Sequence, residues 1–469
     1  MSDPAEQPPR ALAVERRSID FVPEAERHGS PASLFTVWFA ANTQITTAVT
    51  GALGVVLGLS LPWAVVALVI GNLVGGIAMA LHSAQGPRLG VPQMIQSRAQ
   101  FGFYGAVLPL VLVIIMYLGF FASSGVLGGA AFARWTGLSP DLSIVIVSAV
   151  CTLLAIYGYA LIHRFDRWVS LLSALLFAYL SVQLLRTHDL GAVWHGGGVS
   201  WGTFLLVVSI AATWQFTWGP YVADYSRYLP RATSAAATYW WTYAGAVIGG
   251  CWLMCFGAAA VAVAQQAFEG GSVDFLVDLG HDGVGWLVLL IVILGVIAVN
   301  VLNLYGAFMS ATTTLTVIWR QPLTRSTRVA YVLGASIVGT AIAIAGRGNF
   351  VDNYTSFILF LSYFLIPWSA INLADFYAVQ KERYDIDALY DPRAGYGALN
   401  VRALIAYVVG IVLQLPFMNT TFYVGWLVDD LGGSDIAWVI GFVVPAVLYY
   451  LLLRGRAREP RDLQGAAHE

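Results

Sequence analysis

Apolar runs of about 20 residues follow one another along nearly the whole chain, each closed by a short polar, glycine-bearing or proline-bearing break. About 20 mainly apolar residues are needed to cross the hydrocarbon. The pattern therefore predicts helices over roughly 34–59, 62–83, 103–132, 142–162, 167–186, 201–226, 237–264, 284–316, 329–346, 353–379, 402–423 and 436–454. That reading is an all-α integral membrane protein with about twelve crossings. Breaks with turn chemistry lie at Ser60-Leu61-Pro62, from Gly137 to Pro140, at Gly196-Gly197-Gly198 and at Gly432-Gly433. Residues 1–33 are left as a tail, 34–380 as a core of ten helices, 381–401 as a loop, 402–454 as two further helices, and 455–469 as a second tail.

Two of the runs carry polar or helix-breaking clusters at membrane depth, where backbone and amides are costly unless they line a cavity or pack on protein. Span one contains Ala40-Ala41-Asn42-Thr43-Gln44-Ile45-Thr46-Thr47, and span six contains Thr213-Trp214-Gln215-Phe216-Thr217-Trp218-Gly219-Pro220. They open two possible five-helix halves, spans one to five and six to ten, as in transporters built from inverted repeats that bind solute between discontinuous helices. The plainer alternatives are threonines back-bonding in a continuous helix and a proline kink. Asn300 and Asn303 share one face of span eight, and Tyr117 and Phe121 share one face of span three; the aromatic pair alone would read as packing.

Charge refines the picture. With the N-terminus inside, Arg88, Arg98, Arg164, Arg167, Arg227, Arg231, Arg320, Arg325, Arg328, Lys381, Arg383, Arg393 and Arg402 fall on one side, joined by the basic tail from Arg454 to Arg461. The opposite side keeps Arg134, Arg186 and Arg347 and takes Glu269, Asp274, Asp278, Asp282, Asp429 and Asp430. Basic residues of short loops stay in the cytoplasm, so both termini are expected there, in the plasma membrane. The first thirty residues have no apolar h-region and read as a solvated tail. Composition agrees: 58% of the 469 residues are hydrophobic and 11% charged, with a mean hydropathy of +0.72. The net charge of −2 suggests no nucleic-acid partner, and Cys151, Cys251 and Cys255 sit in apolar runs with no chemistry assigned.

Asp166, Asp224, Asp352 and Asp375 lie toward span ends, and no charge falls at the middle of a span. Amides and aromatics suit a neutral planar heterocycle, whose faces stack on rings and whose edge pairs with carboxamides. Enzymatic chemistry is disfavoured: there is no His-Glu-x-x-His, and Gly198-Val199-Ser200-Trp201-Gly202 matches G-x-S-x-G before a helix instead of after a strand. The single lysine, Lys381, is in no phosphate loop, which argues against an ATP-driven pump. Neither a pore-lining repeat nor a charged ring suggests a channel. Gly71 and Gly75 have the spacing of close helix packing. No cofactor is called for. A sensor that binds such a solute without moving it is the competing class.

Trp38-Phe39-Ala40-Ala41-Asn42, Gly90-Val91-Pro92-Gln93-Met94, Ser97-Arg98, Phe101-Gly102, Ala223-Asp224-Tyr225-Ser226-Arg227-Tyr228-Leu229-Pro230 and Ile371-Asn372-Leu373-Ala374-Asp375-Phe376-Tyr377 together resemble the purine–cytosine permease family of nucleobase–cation symporters. The resemblance implies a LeuT-type fold of five plus five inverted helices and two more, alternating access, and cation-coupled uptake of a nucleobase. Hydantoins, allantoin, thiamine or pyridoxine are cargo in the wider group. By position it implies that Gln44 is the span-one amide, Tyr117 the span-three aromatic and Asn300 or Asn303 the span-eight amide. In span six it points to Gln215, flanked by Trp214 and Phe216, with Trp218 close by. Where sodium-driven relatives carry two hydroxyl residues this chain has Ala298 and Val299, so a sodium site would rest on carbonyls near Ala40, Thr43 and Gly295. That departure favours a proton over sodium as coupling ion, with Asp224 as the candidate carrier or, equally, a helix-end acid paired with Arg227.

Overall fold

The computed structural model describes residues 19–157, 159–194, 197–281, 283–319, 324–393 and 395–455. Residues 1–18, Asp282, Arg320 and the tail beyond 455 lie outside it. The described residues are helical from end to end, with one isolated antiparallel bridge between Asn419 and Val424. The helices are α1 (Ser33–Asn42), α2 (Ile45–Val56), α3 (Leu61–Leu89), α4 (Gln93–Phe101), α5 (Val107–Thr136), α6 (Pro140–Tyr157), α7 (Tyr159–Thr187), α8 (Leu190–Trp194), α9 (Trp201–Phe216), α10 (Gly219–Ser226), α11 (Ala235–Gly270), α12 (Ser272–Leu279), α13 (Gly285–Trp319), α14 (Arg325–Gly346), α15 (Phe350–Leu373), α16 (Val401–Val412) and α17 (Ala437–Leu453). A π-helical turn, Ala374–Val379, continues α15.

The apolar surface faces outward, as lipid requires. Ile77, Leu153, Leu175, Ile337 and Val447 are exposed, and the exposed tryptophans Trp135, Trp168, Trp201, Trp240 and Trp286 stand near helix ends, where an interfacial belt forms. The interior is mainly apolar as well, and set within it are asparagines, glutamines, threonines and His82, bonded to one another or to carbonyls. Ion pairs sit at the rims: Arg134 with Asp274 at 3.0 Å and Arg347 with Asp141 at 2.5 Å at one set of helix ends, Arg88 with Glu382 at 3.7 Å at another.

Helix contacts depend on missing side chains. The Gly71 and Gly75 pair does pack closely: added Cβ atoms would stand 2.6 Å and 2.4 Å from the α9 carbonyls of Val208 and Ala212. On α11, a Cβ at Gly257 would meet the Ala48 carbonyl oxygen of α2 at 1.8 Å, and one at Gly51 would meet the Met254 oxygen at 2.0 Å. Backbones approach this closely only where no methyl intervenes.

Several boundaries differ from the expected pattern: α6 ends at Tyr157 and α7 begins at Tyr159, ahead of the expected 162 and 167, and the short helices α8 and α12 fall between expected spans. The eleventh apolar run was expected to be helical to residue 423, but α16 stops at Val412 and Leu415-Pro416-Phe417 forms a single 3-10 turn. Pro416 has no N–H for the helix ladder and its ring opposes the preceding turn. The stretch after α3, which reads as a loop, contains α4 with all nine residues buried. Its mixed glutamines and Arg98 hide a helix that is amphipathic to nothing, because it is enclosed by protein.

The loop after α16 is pinned by Asp435. The Tyr363 hydroxyl and the Asn419 N–H (2.8 Å) donate to its Oδ2, and the Ala437 N–H donates to Oδ1 at 3.0 Å. Burial pushes this carboxyl up to about 6. A raised folded value means that the stabilising contribution is full below about pH 4 and is lost as pH rises through about 6. The unfolding stability of the wild type relative to Asp435→Asn should therefore fall by roughly 1–3 kcal/mol between about pH 4 and pH 7 in detergent. A difference that stays flat would mean the carboxyl titrates as an ordinary surface group.

Candidate functional site

The first apolar run is interrupted as expected. α1 ends at Asn42, Thr43 and Gln44 leave helical geometry (Gln44 φ −146°, ψ 159°), and α2 restarts at Ile45. The freed groups are satisfied locally: Asn42 Nδ2 donates to the Trp38 carbonyl at 2.8 Å, Thr43 Oγ1 to Phe39 O at 2.8 Å, and Gln44 Nε2 to Ala41 O at 2.9 Å. The sixth run bends more gently, between α9 and α10, where Thr217 and Trp218 keep helix-like angles ahead of Gly219-Pro220. One hydrogen bond joins the two interruptions: Trp214 Nε1 donates to Asn42 Oδ1 at 2.8 Å.

Around this bond the chain gathers aromatic rings. Trp218 lies edge-on to Trp214 (5.8 Å between centroids) and to Trp38 (5.7 Å), and Tyr221 stands 5.8 Å from Trp218 and 5.5 Å from Tyr117. Phe120 meets Trp214 at 5.8 Å and 90°, and Tyr225 meets Trp38 at 5.2 Å. Tyr117 lies on Gly306 of α13, where a Cβ would strike its ring at 2.3 Å; Asn303 is one turn away. Asn303 Nδ2 donates to Asn300 Oδ1 at 3.2 Å, and Asn300 Nδ2 donates to the Phe121 carbonyl at 3.1 Å. The indole N–H groups of Trp38 and Trp218 are both buried, with no acceptor among the described residues. Each such unmatched donor costs about 1–3 kcal/mol, so the cluster is built to receive acceptors.

The structure thus brings Trp214, Trp218, Tyr117 and, at the edge, Asn303 and Asn300 to one place. Others of the expected set lie elsewhere. Gln215 is fully buried toward α3 and α11, donating to Asn72 Oδ1 at 2.7 Å and Ala246 O at 3.2 Å. Phe216 turns to the opposite side of α9 and packs on Ile366, Leu373 and Phe442. Phe121 packs on Gly339 of α14, and Asn42 spends its carboxamide on holding the two interruptions together. One helix cannot aim three consecutive residues at one ligand, since each step turns the side chain by about 100°. Trp38 and Tyr225 entered the sequence reading only as residues of the family resemblance, and Phe120 and Tyr221 not at all. The signal was present: Trp38 is one turn before Asn42, and Tyr221 and Tyr225 are one turn apart after Pro220.

Gln44 instead borders a small cavity of about 10 Å³, together with Thr46, Ser124, Ser173 and Gly295. That is room for about one water-sized centre. Of the expected sodium-site positions only Gly295 lines it; Thr43 is engaged with Phe39, and Ala40, Ala298 and Val299 do not reach it. No group of three metal-ligating side chains occurs among the described residues. Asp224 accepts the Gln93 N–H at 2.7 Å and so caps the start of α4.

Interrupted helices joined over an aromatic cluster, in a fold enclosed by lipid-facing surface, define a helical membrane transporter of the LeuT type. Over 95% of its length the chain superposes on the inward-facing Mhp1 structure with a TM-score of 0.75 at 21% identity, covering 94% of that chain. It matches the closed form of Mhp1, a nucleobase-cation-symport-1 family transporter with bromovinylhydantoin bound, with a TM-score of 0.73 at 20% identity, covering 93% and 94% of the two chains. The chain belongs to the family described as permeases for cytosine/purines, uracil, thiamine and allantoin, whose model matches residues 21–441. A relative provisionally named a purine-cytosine permease, YxlA of Bacillus subtilis (strain 168), is 46% identical over 97% of this chain and 99% of its own. The purine-cytosine permease fcyB of Emericella nidulans is 27% identical over 94% of this chain and 88% of its own. The protein is a multi-pass membrane permease and not an enzyme.

Proposed function

We propose that the protein imports a nucleobase of the cytosine or purine class through the plasma membrane by proton symport, with twelve crossings and both termini in the cytoplasm. The observation that carries the solute class is the ring cluster at the joined interruptions, with two buried indole donors that have no acceptor among the described residues. A flat ring enters between Trp218, Trp38 and the tyrosines, stacking for about 1–3 kcal/mol per ring. Its carbonyl or ring nitrogen atoms accept from the indoles, and Asn300 and Asn303 offer amides to its edge. The names of the relatives favour the same class. The lack of hydroxyls at Ala298 and Val299 supports a proton over sodium.

Uptake of labelled cytosine, adenine, hypoxanthine, uracil, hydantoin, allantoin, thiamine and pyridoxine into proteoliposomes tests the reading. An inward pH gradient should concentrate a nucleobase at least about tenfold, whereas a sodium gradient alone should not. Preference for hydantoin, allantoin or a vitamin would move the cargo within the family. Drive by sodium only would overturn the coupling, and binding without accumulation would make the protein a sensor.

A further inference from the structure

Beside the ring cluster lies a titratable group that the expected site does not use. His82 of α3 is fully buried, and its imidazole stacks on Trp368 of α15 at 5.1 Å and 7°. Its Nε2 is 2.7 Å from Ser369 Oγ, and its Nδ1 is 3.2 Å from Gln93 Nε2 of α4. An amide nitrogen only donates, so Nδ1 carries no proton here and Nε2–H donates to the serine. The ring is neutral in this arrangement.

Gln93 is frustrated. Its amide nitrogen faces three acceptors, His82 Nδ1, Gln85 Oε1 at 3.3 Å and Gln96 Oε1 at 3.2 Å, with two hydrogens to give. Its own Oε1 is buried with no donor. A half-turn of the Gln93 amide would put Oε1 against Nδ1, a contact that forms only if Nδ1 holds a proton. The site therefore has a built acceptor for a second imidazole proton. Charged and polar groups from four elements stand around it. Asp224 of α10 accepts from the Gln93 main chain, and Asp375 of the π-helical turn after α15 closes the far end of an amide chain through Gln85, Asn372 and Gln100. Arg98 of α4 donates to the Leu389 carbonyl and lies over Phe103, and α11 offers Thr242 to Ser83. Arg227 follows Ser226, whose hydroxyl donates to the Ser83 carbonyl at 2.7 Å, so two carboxylates and two arginines stand at one remove from the ring.

The position also touches the solute site. A Cβ at Gly219 would stand 3.4 Å from the imidazole Cδ2, and Gly219, next to Trp218, begins α10. A cation there faces the positive end of that helix, so the protonated ring favours an arrangement in which α10 or α15 has moved. That difference in proton affinity between states is what coupling requires.

We propose that His82, and not Asp224, carries the coupling proton, taking it on Nδ1 from one side of the membrane and releasing it from Nδ1 to the other, with Gln93 as its positioning residue. This rests on the symport reading above. The test uses proteoliposomes with a trapped pH dye, labelled cytosine, and wild type, His82→Gln, Asp224→Asn and Gln93→Glu proteins. Wild type should acidify the lumen when cytosine enters; if it does not, proton symport itself fails and the variants are moot. His82→Gln should exchange cytosine for cytosine within about threefold of wild type, yet lose pH-driven accumulation and acidification. Retention of either would overturn the proposal, as would their loss in Asp224→Asn alone. Gln93→Glu keeps the histidine and gives it a carboxylate partner, so the pH midpoint of uptake should rise by about one pH unit. An unmoved midpoint also overturns it, even if His82→Gln does not fold.

Discussion

Gly257→Ala is expected to leave little folded protein. The added methyl would stand 1.8 Å from the Ala48 carbonyl oxygen, and main chain, unlike a long side chain, cannot swing aside. Overpacking a core costs about 1–3 kcal/mol when side chains can adjust. Here α2 and α11 must separate, which strips both of contacts along their length, so the cost should lie at or above that range. Gly334→Ala is the control: nothing stands within 4 Å of its Cβ position, and alanine is the better helix former there. Yield and thermal midpoint of detergent-purified protein decide the matter. Equal behaviour of the two variants would mean that α2 does not lie on α11 as described.

Trp218→Ala should have the largest effect on transport. Loss of one ring face and one indole donor should weaken apparent affinity for a nucleobase by roughly 10- to 100-fold, the equivalent of about 1–3 kcal/mol. Trp218→Phe should fall between, because it keeps a face and loses the donor. Phe216→Leu should leave affinity near wild type, since that side chain faces α17. Saturation of uptake against cytosine concentration reads all three. A Phe216→Leu affinity loss matching that of Trp218→Ala would place the solute on the other side of α9.

How far the sequence could be read follows from which signals are periodic. Long apolar runs announce membrane helices because lipid imposes one length and one polarity. The interruptions at Thr43-Gln44 and Gly219-Pro220 were visible for the converse reason, since polar or ring-closed residues there break the rule. Direction was harder. Trp214, Gln215 and Phe216 are adjacent letters that point to three different neighbours, and only helix packing assigns them. α4 is not legible because a helix buried on all sides, its glutamines among amides and its Met94, Ile95 and Phe101 in apolar clusters, has neither an amphipathic stripe nor an apolar run. His82 stands near the end of an expected span, 62–83, and only the longer helix Leu61–Leu89 puts the imidazole inside the protein.

The bond from Trp214 to Asn42 separates two duties that might have fallen on the same residues. One indole is committed to stitching the interruptions, while Trp218 and Trp38 keep their donors uncommitted on rings whose positions the stitch has already set. Exchanging rings that take no part in the stitch, Tyr221, Phe120 or Trp38, would therefore reshape the space between them while the Trp214–Asn42 bond stays in place.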